Sequence, residues 1–230
     1  MIRAIILSGG VGSRLRESDI PKQYIIVGNK PILLYSLETI ENNGLIDEVY
    51  IVAAPEWQNF INEWIDKCNI TKFRGFALPG TTREGSVYSA LEKLRDIADA
   101  MDVLLIHDAA RPLVPQEIYT NVITELEGFD GVLPAMPAEN AMYISNNRMS
   151  ISGVLNRDSL FAGQSPESCY FGKLLELHDI GKYSKELYNC FGCSELLFKN
   201  NCKVKIIEGN SRSFKITTNK DLERLRRILE

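Results

Sequence analysis

An alternation of short apolar runs with longer segments of helical spacing constrains this chain more than any other feature. Apolar runs bounded by turn residues recur at Ile2–Leu7, Glu48–Ala53, Val103–Ile106 and Gly131–Ala135, with a weaker one at Phe73–Leu78. Between them, apolar residues spaced as on a helix fill Ile32–Ile40, Trp57–Ile65, Gly85–Ile97 and Pro115–Leu126. A chain that alternates in this way builds βαβ units, so the expected fold class is α/β, with a mainly parallel sheet and helices on both faces.

The rhythm breaks after Ala135. From Met136 to Gln164 the chain is rich in Pro, Asn, Ser and Gly, with short alternating stretches at Ala141–Ile144 and Ile151–Leu155, a pattern that predicts an extended arm or hairpin. The rhythm then resumes: a helix from about Tyr170 to Gly181, another near Ser194–Lys199, a strand at Lys203–Ile207 and a terminal helix from Asn219. No internal repeat, low-complexity tract or linker interrupts the 230 residues, which fit one large domain, or one domain with an appended arm.

Bulk properties exclude several classes. A formal net charge of -4 argues against a nucleic-acid binder, which would carry clustered Lys and Arg in excess. No run approaches the roughly 18 apolar residues of a membrane span, and the first residues lack a signal-peptide layout, so a cytoplasmic protein is expected. Cys68, Cys169, Cys190, Cys193 and Cys202 make an odd count that does not suggest a disulfide framework. Cys190 and Cys193 form a C-x-x-C with no second ligand pair, and His107 and His178 lie outside zinc-finger spacing, so buried apolar thiols are the expectation.

The first strand opens into Ser8-Gly9-Gly10-Val11-Gly12-Ser13-Arg14, followed by Pro21-Lys22-Gln23. Such a turn offers backbone N–H groups to phosphate oxygens, although a tight strand-to-helix turn would also select glycine. It is not a P-loop, because it ends Gly12-Ser13-Arg14 where Gly-Lys-Ser/Thr is needed, and Leu15 stands where a dinucleotide fingerprint needs its third glycine.

Ligands of open parallel sheets bind at the carboxyl ends of strands, which directs attention to three further segments. Pro79-Gly80-Thr81-Thr82-Arg83-Glu84-Gly85-Ser86 precedes a helix whose N-terminus can receive a phosphate, ribose or base edge. In His107-Asp108-Ala109-Ala110-Arg111, Asp108 suits a divalent cation bridging phosphates and Arg111 suits a phosphate; alternatively, Asp108 caps the next turn and pairs with Arg111. Lys215 stands among apolar neighbours before a helix cap, facing either solvent or an anion. Together these residues describe chemistry on a polyanion. Transfer of a nucleotidyl group needs cations and a metal but no covalent nucleophile, and no Ser/His/Asp triad is visible; His107 reads as structural.

Taken in order, Gly9-Gly10-x-Gly12-x-Arg14, Pro21-Lys22-Gln23-Tyr24, Gly80-x-x-Arg83-x-x-Ser86-Val87, His107-Asp108-Ala109-Ala110-Arg111-Pro112, Arg157, Gln164-Ser165-Pro166 and Lys215-Ile216-Thr217 resemble the 2-C-methyl-D-erythritol 4-phosphate cytidylyltransferase family, whose relatives include the ribitol-5-phosphate cytidylyltransferases. The resemblance runs from Ile2 to about Leu225. It implies that residues 1–230 form a single Rossmann-like nucleotidyltransferase domain with a dimerisation β-arm at about 136–164. The implied reaction joins CTP to a small polyol phosphate with Mg²⁺, giving a CDP-alcohol and pyrophosphate.

By the same resemblance, Arg14 and Lys22 stabilise the triphosphate and the pentacoordinate α-phosphate, and Asp108 holds Mg²⁺. Ser8, Gly9, Gly10, Gly12, Gly80 and Ser86 form the nucleotide site. Arg111, Arg157, Ser165 and Lys215 face the acceptor, Lys215 counting also as catalytic, and Arg157 reaches the site from the arm of a second subunit in a homodimer.

Departures gather at the acceptor end. The arm's usual Asp-Thr-Ile-Lys is Asn140-Ala141-Met142-Tyr143 here, the usual Gln-Thr-Pro-Gln is Gln164-Ser165-Pro166-Glu167, and a paired-aspartate segment is replaced around Gly192-Cys193-Ser194. The acceptor therefore stays open between 2-C-methyl-D-erythritol 4-phosphate, ribitol 5-phosphate and a related small phosphate. Two other readings remain: a catalytically silent nucleotide-binding homologue, and a nucleotidyltransferase that uses another base or a sugar 1-phosphate.

Overall fold

The computed structural model describes residues 1–10, 20–181 and 190–230, so Gly12 and Arg14 lie outside the described residues. An eight-stranded sheet is built on β1 (Ile2–Leu7), which pairs in parallel with β4 (Glu48–Val52) on one side and β6 (Val103–Asp108) on the other. β5 (Phe73–Ala77) continues the parallel array beyond β4. β2 (Ile26–Val27) and β3 (Lys30–Pro31) form a separate small hairpin that the periodicity did not reveal.

Beyond β6 the sheet departs from a simple parallel order. β7 (Gly131–Pro137) does not pair with β6; the antiparallel β11 (Glu167–Tyr170) is inserted between them. The sequence pattern assigns no strand there and starts a helix at about Tyr170; a strand of four residues with a polar start leaves too short a pattern to recognise. β10 (Phe161–Gly163) pairs antiparallel with the end of β7, and β12 (Val204–Glu208) pairs in parallel with its other edge.

Because successive strand side chains point to opposite faces, each strand feeds two cores. Ala4 and Ile6 of β1 are buried with α1 (Ile32–Glu41), α2 (Pro55–Lys67) and α4 (Gln116–Thr124). Ile5, between them, is buried on the other face with α3 (Arg83–Leu94), α5 (Phe171–Gly181) and α6 (Cys193–Lys199). The terminal helix α7 (Asn219–Leu229) starts at a capping box between Thr218 and Asp221 and covers Val27 and Ile32 with Leu222 and Leu225. The predicted helices all form, with ends displaced by up to three residues. No helix among the described residues is long and apolar enough to cross a membrane.

In the stretch expected to be an arm, β8 (Met142–Ile144) and β9 (Gly153–Leu155) pair, among the described residues, with each other alone. Met142, Tyr143, Ile144, Met149, Ile151 and Val154 are all exposed on this hairpin.

Candidate active site

The loops after β1, β5, β6 and β12 converge at the carboxyl edge of the parallel strands, and local contacts fix each of them. After β1, the Ser8 amide donates to the Val52 carbonyl (2.9 Å), and the Ser8 hydroxyl donates to the Tyr24 hydroxyl oxygen (3.0 Å). Tyr24 in turn donates to the Ser8 carbonyl (2.9 Å), and Gln23 Nε2 donates to the carbonyls of Ser8 (2.7 Å) and Gly10 (2.8 Å). Gln23 and Tyr24 belong to one 3-10 turn, Lys22–Tyr24, and Tyr24 stacks on Trp57 of α2 with ring centroids 4.5 Å apart. The glycine-rich turn is thus braced from beneath by the residues that follow Lys22.

The second loop touches the first. A Cβ on Gly9 would lie 2.4 Å from Cβ of Pro79, so only glycine permits the approach. Gly80 donates to Ser86 Oγ (3.1 Å), Ser86 donates to the Thr82 carbonyl (3.0 Å), and Thr82 caps α3 by accepting from Gly85 N (3.0 Å). A Cβ on Gly80 would lie 2.4 Å from the carbonyl carbon of Gly85.

At the end of β6, His107 is fully buried, with Nε2 3.0 Å from Ser36 Oγ and Nδ1 3.4 Å from Ser165 Oγ. Burial, aided by the nearby Arg111 charge and opposed by Asp108, lowers its pKa to about 3, so the ring is neutral and structural, as expected. Ser165 Oγ also accepts the Asp108 amide (3.1 Å). The loop after β12 is pinned beside it: Ile216 N donates to the Ala110 carbonyl (2.8 Å), and Arg111 Nη1 donates to the Ser213 carbonyl (2.6 Å).

These pins place Lys215 Nζ 2.8 Å from Asp108 Oδ2. Arg111 Nε stands 3.7 Å from the same oxygen, and Arg83 Nε 3.6 Å from Oδ1. Burial alone would raise the Asp108 pKa, but Arg83, Lys215 and Arg111 hold it well below the usual carboxylate range.

Two adjoining cavities meet at this carboxylate. The first, of about 400 Å³, is lined by Gly9, Gly10, Lys22, Gly80, Ser86, Asp108 and Lys215. The second, of about 390 Å³, is lined by Arg111, Gln164, Ser165, Glu167, Phe191 and Ser194. Arg83, Asp108 and Lys215 line both and form the partition.

The structure therefore brings together Gly9, Gly10, Lys22, Gly80, Ser86, Asp108, Arg111, Ser165 and Lys215. Ser8 sits beneath the first cavity, with its amide and hydroxyl both used inside the fold. Arg157 lies on the exposed turn Arg157–Ser159 and lines neither cavity; Asn140, Ala141 and Tyr143 are likewise exposed on the arm. Cys190 and Cys193 are both buried.

The sequence alone assigns no role to Arg83 and marks Glu167 only as a departure. Arg83 Nη1 donates to Glu84 Oε1 (2.7 Å) and Nη2 to Glu167 Oε1 (2.9 Å). Adjacency in sequence signals the first pair, but only the inserted strand β11 creates the second.

Among the described residues, no three His, Cys, Asp or Glu side chains are grouped to hold a metal, and Asp108 is the one carboxylate lining the first cavity. Magnesium is commonly held by one or two carboxylates together with substrate phosphates. The donor set fits a cation that arrives with a triphosphate.

A family model described as 2-C-methyl-D-erythritol 4-phosphate cytidylyltransferase matches residues 2–230. The chain belongs to this family. It is accordingly a CTP-dependent nucleotidyltransferase. The 2-C-methyl-D-erythritol 4-phosphate cytidylyltransferase of Clostridium botulinum is 31% identical over 228 residues, which are 98% of this chain and 96% of that protein. The ribitol-5-phosphate cytidylyltransferase of Streptococcus agalactiae is 29% identical over 217 residues, 94% of this chain and 90% of that protein. The crystal structure of 4-diphosphocytidyl-2C-methyl-D-erythritol synthase from Anaerococcus prevotii superposes with a TM-score of 0.84 at 25% identity, covering 99% of this chain and 95% of that one. In this cytidylyltransferase, two cavities that share the charged partition of Arg83, Asp108 and Lys215 lie side by side.

Proposed function

We propose that this chain transfers CMP from CTP to a small polyol phosphate, with CTP in the first cavity and the acceptor in the second. The shared partition of Arg83, Asp108 and Lys215 carries the reading, because it joins two cavities at a pair of fixed cations. An acceptor phosphate oxygen forms a bond to the α-phosphorus while the bond to the bridging oxygen breaks, and that electron pair leaves with pyrophosphate. Charge develops on the α-phosphate and the leaving group, so fixed cations beside them lower the barrier.

In this scheme the backbone of Gly9 and Gly10, with Arg14, holds the triphosphate, and Lys22 stabilises the charge that develops on the pentacoordinate α-phosphate. Gly80 and Ser86 form the base and ribose side. Arg111 and Lys215 hold the acceptor phosphate, Arg111 presenting a planar fork to it. Asp108 stays anionic and would hold a divalent cation, which would supply further neutralisation of the phosphates. The apolar, exposed hairpin of β8 and β9 makes a homodimer, and Arg157 enters the acceptor cavity of the partner.

Pyrophosphate release from CTP and Mg²⁺ against a panel of phosphorylated polyols, including ribitol 5-phosphate and 2-C-methyl-D-erythritol 4-phosphate, tests the reading. Release with at least one member is expected. CTP binding without release on any member would replace it with a silent nucleotide-binding protein. Lys22→Ala should lower kcat far more than CTP affinity, since its role lies in the transition state.

A further inference from the structure

Glu167 is an ionisable side chain with a heavily buried carboxylate that the scheme above does not use. It stands at the start of β11, and both of its oxygens are engaged. Oε1 accepts Arg83 Nη2 at 2.9 Å, and Oε2 accepts the backbone amide of Ser194 at 2.7 Å. The first bond reaches the partition between the cavities, and the second reaches the wall formed by Phe191, Gly192 and Ser194.

The wall is shaped to admit this carboxylate. A Cβ on Gly192 would lie 2.8 Å from Glu167 Oε1 and 2.9 Å from Oε2, so any side chain there contends for the space the carboxylate fills. Backbone freedom is not the reason for glycine, because Gly192 has φ of -172°, an extended value open to any residue. Gly192 is also the N-cap of α6, a position that usually carries its own side-chain acceptor and here borrows one from Glu167. Positions 167 and 192 therefore share one carboxylate site. The sequence departs from the family spelling at both.

On the other side, Arg83 is held between Glu84 at 2.7 Å and Glu167 at 2.9 Å, and this hold presents its Nε to Asp108 at 3.6 Å. Burial would depress the Arg83 pKa, but Glu167, with Cys193, Asp108 and Glu84, raises it well above the usual value.

We propose that Glu167 is a positioning residue for the transfer: its carboxylate clamps the Phe191–Gly192–Ser194 wall of the acceptor cavity onto Arg83, and through Arg83 it fixes Asp108 at the partition. The assignment of the second cavity to the acceptor rests on the function proposed above; the clamp does not.

The test combines kinetics with a thiol probe. In Glu167→Gln, an isosteric change, kcat should fall about tenfold and KM for ribitol 5-phosphate or 2-C-methyl-D-erythritol 4-phosphate should rise at least fivefold. CTP affinity by calorimetry should stay within twofold. Iodoacetamide labelling of Cys193, which is 1% exposed and begins α6, should quicken at least tenfold as the wall loosens. Glu167→Ala should behave like Glu167→Gln or worse. Adding Gly192→Asp to Glu167→Ala should restore at least half of the lost turnover, because the carboxylate is supplied from the wall side.

Unchanged Cys193 labelling in Glu167→Gln overturns the clamp. Faster labelling with kcat and acceptor KM unchanged overturns the positioning role, as does a double variant no better than Glu167→Ala. If the wild-type protein transfers to no acceptor, the proposed function fails while the labelling still decides the clamp.

Discussion

Gln23→Met removes both donors from beneath the glycine-rich turn while keeping the shape of a side chain that is 3% exposed. Its Nε2 serves the Ser8 and Gly10 carbonyls at 2.7 and 2.8 Å. The worst case would leave both buried and unsatisfied, at about 1–3 kcal/mol each. Neither is stranded here: the Ser8 carbonyl keeps the Tyr24 hydroxyl at 2.9 Å, and Gly10 is exposed, so its carbonyl regains water. The cost is therefore that of two ordinary net hydrogen bonds, about 2 kcal/mol. For a chain of this size that lowers Tm by roughly 4–8 °C. Thermal melts at fixed protein concentration and CTP calorimetry measure the two consequences. CTP affinity should weaken about tenfold, equivalent to about 1.4 kcal/mol, as the turn loses its fixed N–H directions. A Tm within 1 °C of wild type would refute the bracing argument. A lowered Tm with unchanged CTP affinity would remove the turn from the nucleotide site.

Gly80→Ala places a Cβ 2.4 Å from the Gly85 carbonyl carbon, so the loop before α3 must shift; CTP affinity should fall at least tenfold by calorimetry, with the acceptor KM little changed. His107 has a folded pKa of about 3 against 6.5 for the free side chain, so the unfolded chain binds the extra proton between those values; stability is full above pH 6.5 and declines as pH falls towards 3. Urea unfolding should show a loss of roughly 2 kcal/mol between pH 6.5 and 5, and His107→Asn should flatten that limb. If Arg157 acts across a two-fold dimer, mixing inactive Lys22→Ala and Arg157→Ala subunits should restore about a quarter of wild-type activity, whereas action within one chain restores none.

The architecture was legible where burial is two-sided. β1, β4 and β6 are apolar along their length because helices cover both faces, and such runs read clearly. β11 was not legible: its identity comes from pairing with β6 and β7, which are distant in sequence, and its four residues carry no period of their own. The same fact hid Glu167, whose partner Arg83 is 84 positions away. Asp108, Lys22 and Lys215 were legible because each follows a strand or a glycine turn at the carboxyl edge of the sheet, where ligands of open parallel sheets bind. Ser8 stands in the same turn, but its hydroxyl faces Tyr24 inside the fold, a contact that the sequence does not signal.

The cations of the partition are surrounded by three carboxylates, Asp108, Glu84 and Glu167. Like unit charges about 4 Å apart repel by about 4 kcal/mol at an effective dielectric of 20, so Arg83, Arg111 and Lys215 could not be held together unaided. Asp108 stands between all three, and Glu84 and Glu167 grip Arg83 from behind. Lys215, 37% exposed and ion-paired with Asp108 alone among the described residues, is the cation most readily handed to an incoming phosphate. Arg83, gripped at 2.7 and 2.9 Å, is the least so. On the proposed scheme the two cations share a wall and divide its work: Lys215 exchanges partners as substrates arrive, and Arg83, gripped by two carboxylates, keeps that wall in place.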